Sequence, residues 1–316
     1  MAAGRGRALA DSRSVAPLSP APPAVDDLHR RILDWYSRAG RDLPWRRAGS
    51  TPWGVFVSEV MSQQTPVARV EPAWLAWMDR WPTPADLAAD SPGEAVRLWN
   101  RLGYPRRALR LREAAQAMVE RHGGEVPREV EALLALPGVG AYTAAAVAAF
   151  AFGTRSTVVD TNVRRAEARL VTGVALPAPT LTRAETALAT SLLPADDADA
   201  ATWNVAVMEL GALVCTARAP RCAACPVEDL CVWRAAGSPA YGGPPRRGQS
   251  WAGTDRQVRG RILALLRESA HPLSAADLVA AWPDDDAKRA RCLAGLIEDG
   301  LVEPVTDGLE QYRLPV

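Results

Sequence analysis

Four closely spaced cysteines restrict the fold of this 316-residue chain more than any other feature of its sequence. They are Cys215, Cys222, Cys225 and Cys231, with the spacing C-x6-C-x2-C-x5-C. The first 24 residues are rich in Ala, Arg, Ser and Pro and lack the apolar core of a secretory signal, so we expect a disordered tail there. Without such a signal, clustered cysteines are more often metal ligands than disulfides.

Two kinds of metal centre use four cysteines. Zinc ribbons usually present two C-x2-4-C pairs separated by a longer arm, whereas only Cys222 and Cys225 form such a pair here. A [4Fe–4S] cluster accepts irregular spacing of this kind. The sequence therefore favours an iron–sulfur cluster, with zinc as the simpler alternative. We expect the fifth cysteine, Cys292, to be a small buried core residue.

The charge of the chain is nearly balanced overall but uneven along its length. The net charge is +1, yet arginines are concentrated in two stretches that could bind phosphates. Those stretches are Arg101, Arg106, Arg107, Arg110 and Arg112, and then Arg164, Arg165 and Arg169. Solvated helix faces are the alternative interpretation of either stretch. The chain has no run of 18 apolar residues, so we expect no membrane span.

The chain contains a single lysine, Lys288, close to its C-terminus. Arginine stays protonated and cannot act as an amine nucleophile. A mechanism through a lysine Schiff base is therefore excluded for the main domain.

The periodicity of the apolar residues indicates an all-α protein. A short β-branched run at 156–159 leads into one of the helices, and a Gly/Pro/Ser-rich linker follows at 236–253. A separate small unit covers 254–316. The predicted helices are 25–40, nearly all of 52–152, 160–171, 180–193 and 200–214.

Between two apolar helical stretches stands the sequence Leu-Pro-Gly-Val-Gly, residues 136–140. Gly138 and Gly140 allow positive φ and close approach of a ligand to the backbone. The exposed amides of this hairpin, at the start of the next helix, suit a phosphate oxygen. A plain turn between helices is the alternative.

Two carboxylates stand in positions suited to chemistry. Glu59 lies in an apolar segment, where desolvation would raise its pKa and let it act as a general acid. The alternative is a glutamate on the polar stripe of a surface helix. Asp160 precedes a predicted helix, so it could be a simple N-cap, or it could face a sugar and stabilise positive charge.

Together these motifs resemble the helix-hairpin-helix superfamily of DNA glycosylases, and within it the endonuclease III and adenine DNA glycosylase (MutY) families. The resemblance covers about residues 28–233. It is carried by the cysteine spacing, by the hairpin with Ala-Tyr-Thr-Ala at 141–144, by the segment around Asp160, and by Ser-Glu-Val-Met at 58–61 with Gln-Gln-Thr at 63–65. Lyase members have lysine where Tyr142 stands, while Glu59 and Asn162 are typical of the adenine branch.

The resemblance implies a two-lobed helix-hairpin-helix glycosylase fold with an iron–sulfur cluster loop. The glycosylase domain would cover 25–235. Its helical barrel lobe would be about 51–153, and its cluster lobe 25–50 with 154–235.

It also implies removal of adenine mispaired with 8-oxoguanine or guanine in double-stranded DNA, by a monomeric, monofunctional, cytoplasmic and nucleoid-associated enzyme. Glu59 would protonate the base and Asp160 would stabilise the oxocarbenium-like sugar, while Tyr142 and Asn162 would position Glu59, Asp160 or the attacking water. The implied substrate-binding residues are Trp45 and Arg46 at the adenine pocket, Gln64 and Tyr104 as wedges in the duplex, and Gly138, Val139 and Gly140 on a phosphate. The alternatives are an endonuclease III-type pyrimidine glycosylase and lyase, or a non-catalytic cluster-bearing DNA-binding protein.

The sequence departs from the family in three places. Ser62 stands where leucine is usual, and Val205 where many members have Glu or Gln. The unit at 254–316 is too short for the usual MutT-like domain. Its pattern, three helices and a hairpin around the turn 306–308, looks like a winged helix.

We expect the third helix of this unit, with Lys288, Arg289 and Arg291, to contact DNA. The unit would then replace the MutT-like domain and bind the duplex from the side opposite the active site. A protein-docking or structural module is the alternative.

Overall fold

The computed structural model describes residues 24–243, 251–305 and 310–316. The predicted tail, except for Ala24, lies outside these residues, as do part of the linker and the turn at 306–308. Within the described residues, no helix is long and apolar enough to cross a membrane.

The first part of the chain is helical, as predicted, and its centre is α2. This helix is apolar on nearly all sides, so it is buried among its neighbours. Around it Trp77 packs edge-to-face against Trp81 and Trp99, with ring centroids 4.8 and 5.5 Å apart. The helices are α1 Val25–Ala39, α2 Pro52–Ser62, α3 Val67–Arg80, α4 Pro84–Ala89, α5 Pro92–Trp99, α6 Arg106–His122, α7 Val130–Leu134 and α8 Ala141–Phe152, with a 3-10 turn at Pro44–Arg46.

A second hydrophobic core joins α1 to the helices after residue 160. Leu28 and Ile32 of α1 pack there with Trp203 and Leu210 of α11. The predicted helix at 160–171 is α-helical only to Glu167 and continues as a π-helical turn. The elements are α9 Thr161–Glu167, the π turn Ala168–Thr172, α10 Arg183–Ser191, α11 Asp197–Leu213, 3-10 turns at Cys222–Ala224 and Glu228–Leu230, and α12 Val232–Ala235.

The C-terminal unit has the order expected for a winged helix. Its elements are α13 Asp255–Glu268, β1 Leu273–Ser274, a 3-10 turn Asp277–Ala281, α14 Asp286–Glu298, β2 Glu303–Val305 and β3 Gln311–Arg313. The antiparallel sheet has the order β1-β3-β2, with Tyr312 opposite both Leu273 and Pro304.

The second predicted helix of this unit is only one 3-10 turn. Ser274 and Asp277 cap each other, since Ser274 N donates to the Asp277 carboxylate and Asp277 N donates to Ser274 Oγ. However, Trp282 precedes Pro283, and a residue before proline disfavours the α conformation. The helix therefore has no room to extend.

The C-terminal unit shares its hydrophobic core with the barrel helices. Val258, Leu266 and Leu314 belong to the same buried cluster as Val96 and Trp99 of α5. Main-chain groups join the two parts as well. Gly93 N donates to Pro315 O at 2.7 Å, and Arg267 Nε donates to Val96 O at 2.9 Å. A unit that is separate in sequence is thus an integral part of the packed structure.

Leu314→Ala should lower the stability of the whole protein, because Leu314 is 5% exposed in this shared core. We expect a loss of about 2–5 kcal/mol in the free energy of unfolding, measured by urea denaturation. Val316→Ala, at a residue 73% exposed, is the matched control and should change stability by less than about 0.5 kcal/mol. Independent unfolding of the C-terminal unit, as a separate earlier transition, would contradict the shared core.

Candidate active site and cluster centre

Glu59 lies on α2, with its carboxyl group facing α8. Tyr142 Oη donates to Glu59 Oε2 at 3.3 Å. Burial raises the pKa of Glu59 to about 7, while the charge of Arg46 and the Tyr142 hydrogen bond lower it and the charge of Asp160 raises it further. The Glu59 carboxyl therefore exchanges a proton near neutral pH, as a general acid must.

Asp160 is the N-cap of α9. Its Oδ1 accepts from Asn162 N at 2.8 Å and Val163 N at 2.7 Å, and its Oδ2 accepts from Asn162 Nδ2 at 2.7 Å. Burial raises the pKa of Asp160, although these hydrogen bonds and the charge of Arg165 oppose the shift. The capping role is therefore real. It also fixes the carboxylate in one orientation beside Glu59.

The four predicted catalytic residues lie close to one another, on α2, on α8 and at the start of α9. The negative charge of Asp160 contributes to the raised pKa of both Glu59 and Tyr142. Tyr142 contacts Glu59, and Asn162 contacts Asp160. The arrangement pairs a carboxylic acid that titrates near pH 7 with a carboxylate held by helix amides.

Arg46 is held near Glu59 by a buried glutamate that the sequence did not reveal. Glu209 of α11 has no exposed side-chain surface. It lies 2.9 Å from Arg46 Nη1, and both of its oxygens accept from Arg41. Burial alone would raise the pKa of Glu209, but hydrogen bonds from Arg41 and the charge of Arg46 hold it below its usual value.

Trp45 has little surface available to a substrate. It is 6% exposed and packs edge-to-face against Trp74, with centroids 5.7 Å apart. The structure thus assigns most of its surface to the core beneath Arg46.

Hydrogen bonds from Arg107 join the loop that carries Gln64 to the loop that carries Tyr104. Arg107 Nη1 donates to Gln63 O at 2.7 Å, and its Nη2 donates to Gly103 O at 3.1 Å. Gln64 and Tyr104 both have positive φ, 54° and 47°, a conformation that costs free energy for residues other than glycine. The two proposed wedges therefore form one rigid edge.

In the hairpin only one of the two glycines uses positive φ. Gly138 has φ 75°, and a Cβ there would lie 2.8 Å from Cβ of Arg110 on α6. Gly140 has φ −104° and is the N-cap of α8, so it does not adopt the positive φ that the sequence allowed for it. Nothing lies within 4 Å of the Cβ position of Gly140. That open side leaves room for a phosphate next to the amides at the start of α8.

The prediction that the second arginine stretch binds phosphates is wrong. Arg164, Arg165 and Arg169 are each at most 9% exposed and bind main-chain carbonyl groups. Arg165 Nη2 donates to Asn162 Oδ1 at 2.8 Å and to Gly211 O at 2.6 Å, and its Nε donates to Cys215 O at 2.7 Å. Hydrogen bonds thus connect Asp160, through Asn162 and Arg165, to the first cysteine of the cluster loop.

The first arginine stretch is divided in the same way. Arg107 and Arg112 bind carbonyl oxygens, whereas Arg101, Arg106 and Arg110 are exposed. All three have surface that a phosphate could reach, although Arg106 pairs with Asp299 and Arg110 pairs with Glu113.

The four cysteines of the cluster loop line one pocket beside Arg169 and Trp233. Arg169 Nη1 donates to Cys215 Sγ at 3.3 Å, and its guanidinium lies 4.7 Å from the centroid of the Trp233 ring. Burial raises the pKa of the Cys225 thiol to about 12, with a further increase from the other three sulfurs. Four partly or fully buried cysteines that line one pocket suit a metal centre, because coordination stabilises the ionised form of each thiol, and this fits an iron–sulfur cluster.

Glu209 and Arg107 were missed because their roles depend on long-range contacts. One signal for Glu209 was present, since it is the only acidic residue in the apolar stretch 200–214. The same pattern identified Glu59. Arg107 looks like any other member of its arginine stretch.

Comparison with known families agrees with this geometry. Residues 57–189 match the HhH-GPD superfamily of base excision DNA repair proteins, and residues 215–231 match the iron–sulfur binding domain of endonuclease III. The first segment contains Glu59, the hairpin and Asp160, and the second is bounded by the first and last cysteines. The cofactor is therefore a [4Fe–4S] cluster, as predicted.

Two sequence relatives and one solved structure resemble this chain over two thirds or more of its length. Adenine DNA glycosylase of Mycolicibacterium smegmatis is 53% identical over 277 residues, covering 88% of this chain and 93% of that protein. That of Mycobacterium tuberculosis strain H37Rv is 52% identical over 285 residues, covering 90% and 92%. The solved structure of a thermostable thymine-DNA glycosylase is 27% identical, has a TM-score of 0.59, and covers 67% of this chain and 97% of that one. The chain belongs to the adenine DNA glycosylase family and acts in base excision repair of DNA.

Proposed function

We propose that the substrate is adenine opposite 8-oxoguanine or guanine in double-stranded DNA, and that the chain acts on it as a monomer associated with the nucleoid. The observation that carries this proposal is the Glu59 carboxyl, with a pKa of about 7, hydrogen-bonded to Tyr142 and close to Asp160. A base in a duplex must first be flipped out of the stack. Gln64 and Tyr104, held as one edge by Arg107, would fill the space that the base leaves.

Glu59 then donates its proton to N7 of adenine, so that the base departs as a neutral leaving group. Positive charge develops on the sugar as the glycosidic bond breaks. Asp160, which is held rigidly by the amides of α9, stabilises that charge, as carboxylates do in sugar hydrolases. Water then adds to the sugar and its proton passes to the Glu59 carboxylate, which leaves an abasic site and restores the acid. Asn162 acts as a positioning residue, because it is fixed between Asp160 and Arg165.

The [4Fe–4S] cluster, when bound to the four cysteines, holds the loop 215–231 folded against α9. Arg165 and Arg169 connect that loop to the helix that begins at Asp160. We therefore assign the cluster a supporting role in the position of Asp160, and none in the breaking of the bond.

The endonuclease III-type alternative is less well supported, because Tyr142 occupies the lysine position of lyases. The only lysine, Lys288, lies on α14 and donates to Gly253 O. A non-catalytic role is disfavoured by the mycobacterial relatives, which are named for adenine removal.

Single-turnover assays on duplexes with adenine opposite 8-oxoguanine, adenine opposite guanine, and thymine glycol test the proposal. We expect adenine release from the first two duplexes and none from the third. Glu59→Gln and Asp160→Asn keep the shape of each side chain and remove the acid or the charge, so each should lower the rate by at least about 100-fold. DNA affinity should persist, because phosphate contacts supply most of it. A near-wild-type rate in either variant would exclude that residue from catalysis.

The rate of adenine release should depend on pH through Glu59. The acid form of Glu59 is active, so the rate should fall tenfold per pH unit above about pH 7. It should fall again in acid, where Asp160, whose pKa burial raises, takes up a proton and loses the charge that stabilises the sugar. Tyr142→Phe removes a hydrogen bond that lowers the pKa of Glu59, so the alkaline limb should move to higher pH. A limb that stays in place, or moves to lower pH, would show that Tyr142 does not tune Glu59.

Borohydride should trap little covalent adduct between the protein and substrate DNA. The reason is that residues 25–235 contain no lysine, so no side-chain amine there can form a Schiff base with the sugar. Endonuclease III under the same conditions is the positive control. An efficient crosslink that maps to this part of the chain would contradict monofunctional chemistry.

A further inference from the structure

We propose that Arg256, at the start of α13, binds the phosphate backbone of the strand opposite the flipped adenine. This makes the C-terminal unit part of the DNA interface and rests on the proposed function of the active site. It assigns the contact to the first helix of the unit instead of the third.

The first observation is the surroundings of Tyr104. Its ring is 46% exposed and lies close to two guanidinium groups, that of Arg107 at 5.5 Å from the centroid and that of Arg256 at 5.9 Å. Its backbone has φ 47°. A strained backbone that presents an aromatic ring to solvent between two cations is typical of a functional site. Stacking bases and phosphates are the ligands that suit such a group.

The second observation is the order of contacts across this face. Glu59 is one turn before the end of α2, which leads directly to Gln64. Arg107 fastens the Gln64 loop to the Tyr104 loop, and Arg256 follows next to Tyr104. The contacts across this face thus lead from Glu59 to Gln64, then to Tyr104, and finally to Arg256. A base drawn into the pocket leaves its partner strand beyond the wedges, where Arg256 stands.

The third observation is that the C-terminal unit is fixed in this position. Asp299, at the C-terminal end of α14, pairs with Arg106 of α6 at 3.2 Å and also with Arg259 of α13. Helix α6 begins next to the Tyr104 loop and carries Arg107. The start of α13 is therefore positioned by the same helix that positions the wedges.

The fourth observation concerns the helix predicted to read DNA. All three basic residues of α14 are engaged within the unit. Lys288 donates to Gly253 O, Arg289 Nη1 donates to Trp282 O at 2.7 Å, and Arg291 pairs with Asp255 at 3.1 Å. The last pair also neutralises the acidic neighbour of Arg256. The basic residues of α14 thus make their contacts within the C-terminal unit, whereas the guanidinium group of Arg256 lies over the Tyr104 ring.

The test uses the full-length protein and a duplex in which 2′-fluoro-deoxyadenosine, which resists base release, stands opposite guanine. Affinity is measured as a function of salt concentration. Arg256→Ala should reduce the slope of log K against log salt by about 0.9, the value for one phosphate. Arg256→Lys should restore it. Arg261→Ala is the matched control, because Arg261 is exposed on the same helix but lies over Trp282, at 5.0 Å, and should leave the slope unchanged.

Methylphosphonate substitution, one phosphate at a time, then identifies the strand. At one position in the strand opposite adenine, neutralisation should weaken wild-type binding and leave Arg256→Ala unaffected. If Arg256→Ala has the wild-type slope, or if its loss disappears only with substitutions in the adenine strand, the proposal is wrong. If the affinity lost in Arg256→Ala instead adds to the loss caused by every methylphosphonate substitution, Arg256 supports the packing of Tyr104 and binds no phosphate. That result would also show the proposal to be wrong. Absence of adenine release by the wild-type enzyme would instead reject the proposed function, since these binding measurements do not depend on turnover.

Discussion

The hydrogen bonds between Asp160 and the first amides of α9 are the interaction on which the site depends. They start the helix that carries Arg165 towards the cluster loop, and they hold the carboxylate close to Glu59 and Tyr142. A helix N-terminus stabilises a negative charge, so the amides of α9 oppose the increase in the pKa of Asp160 that burial causes. One residue therefore serves local folding and chemistry together, and its value as a cap does not argue against its value as a catalyst.

Glu59 illustrates the opposite environment. It stands on the most buried helix of the barrel, where no main-chain amide stabilises its charge, and burial raises its pKa to about 7. Arg46 limits this shift, and Arg46 is itself held by Glu209. Two carboxyl groups of similar intrinsic acidity thus acquire different roles because one is solvated by helix amides and the other is not. A division of this kind is what acid-assisted cleavage of a sugar bond requires.

Local patterns were sufficient to predict much of this molecule from sequence. Predictions from the cysteine spacing, from the hairpin glycines and from the carboxylates at 59 and 160 use only near neighbours in the chain. The structure brings Glu59 and Asp160 together with Tyr142. What could not be predicted depends on distant partners. Glu209 contacts residues about 160 positions away, and Arg267 binds a carbonyl of α5. The linker indicated an independent C-terminal unit, yet the apolar residues of that unit complete the core of the barrel. Composition can locate a domain boundary in the sequence, but it cannot show which apolar surfaces of the two parts pack against each other.

The use of arginine explains why charge was the least reliable guide. With a single lysine in the chain, arginine supplies nearly all the cations, and its planar fork of five donors can satisfy several carbonyl oxygens at once. Arg107 does this between two loops, and Arg165 does it between α9 and the cluster loop. Each uses a charged group to close main-chain hydrogen bonds that helix ends leave open. A lysine, with its point charge on a flexible stem, would not fix two loops in this way. Clustered arginines in such a chain therefore indicate junctions between elements first. The arginines that remain exposed beside a strained aromatic residue are the better candidates for DNA.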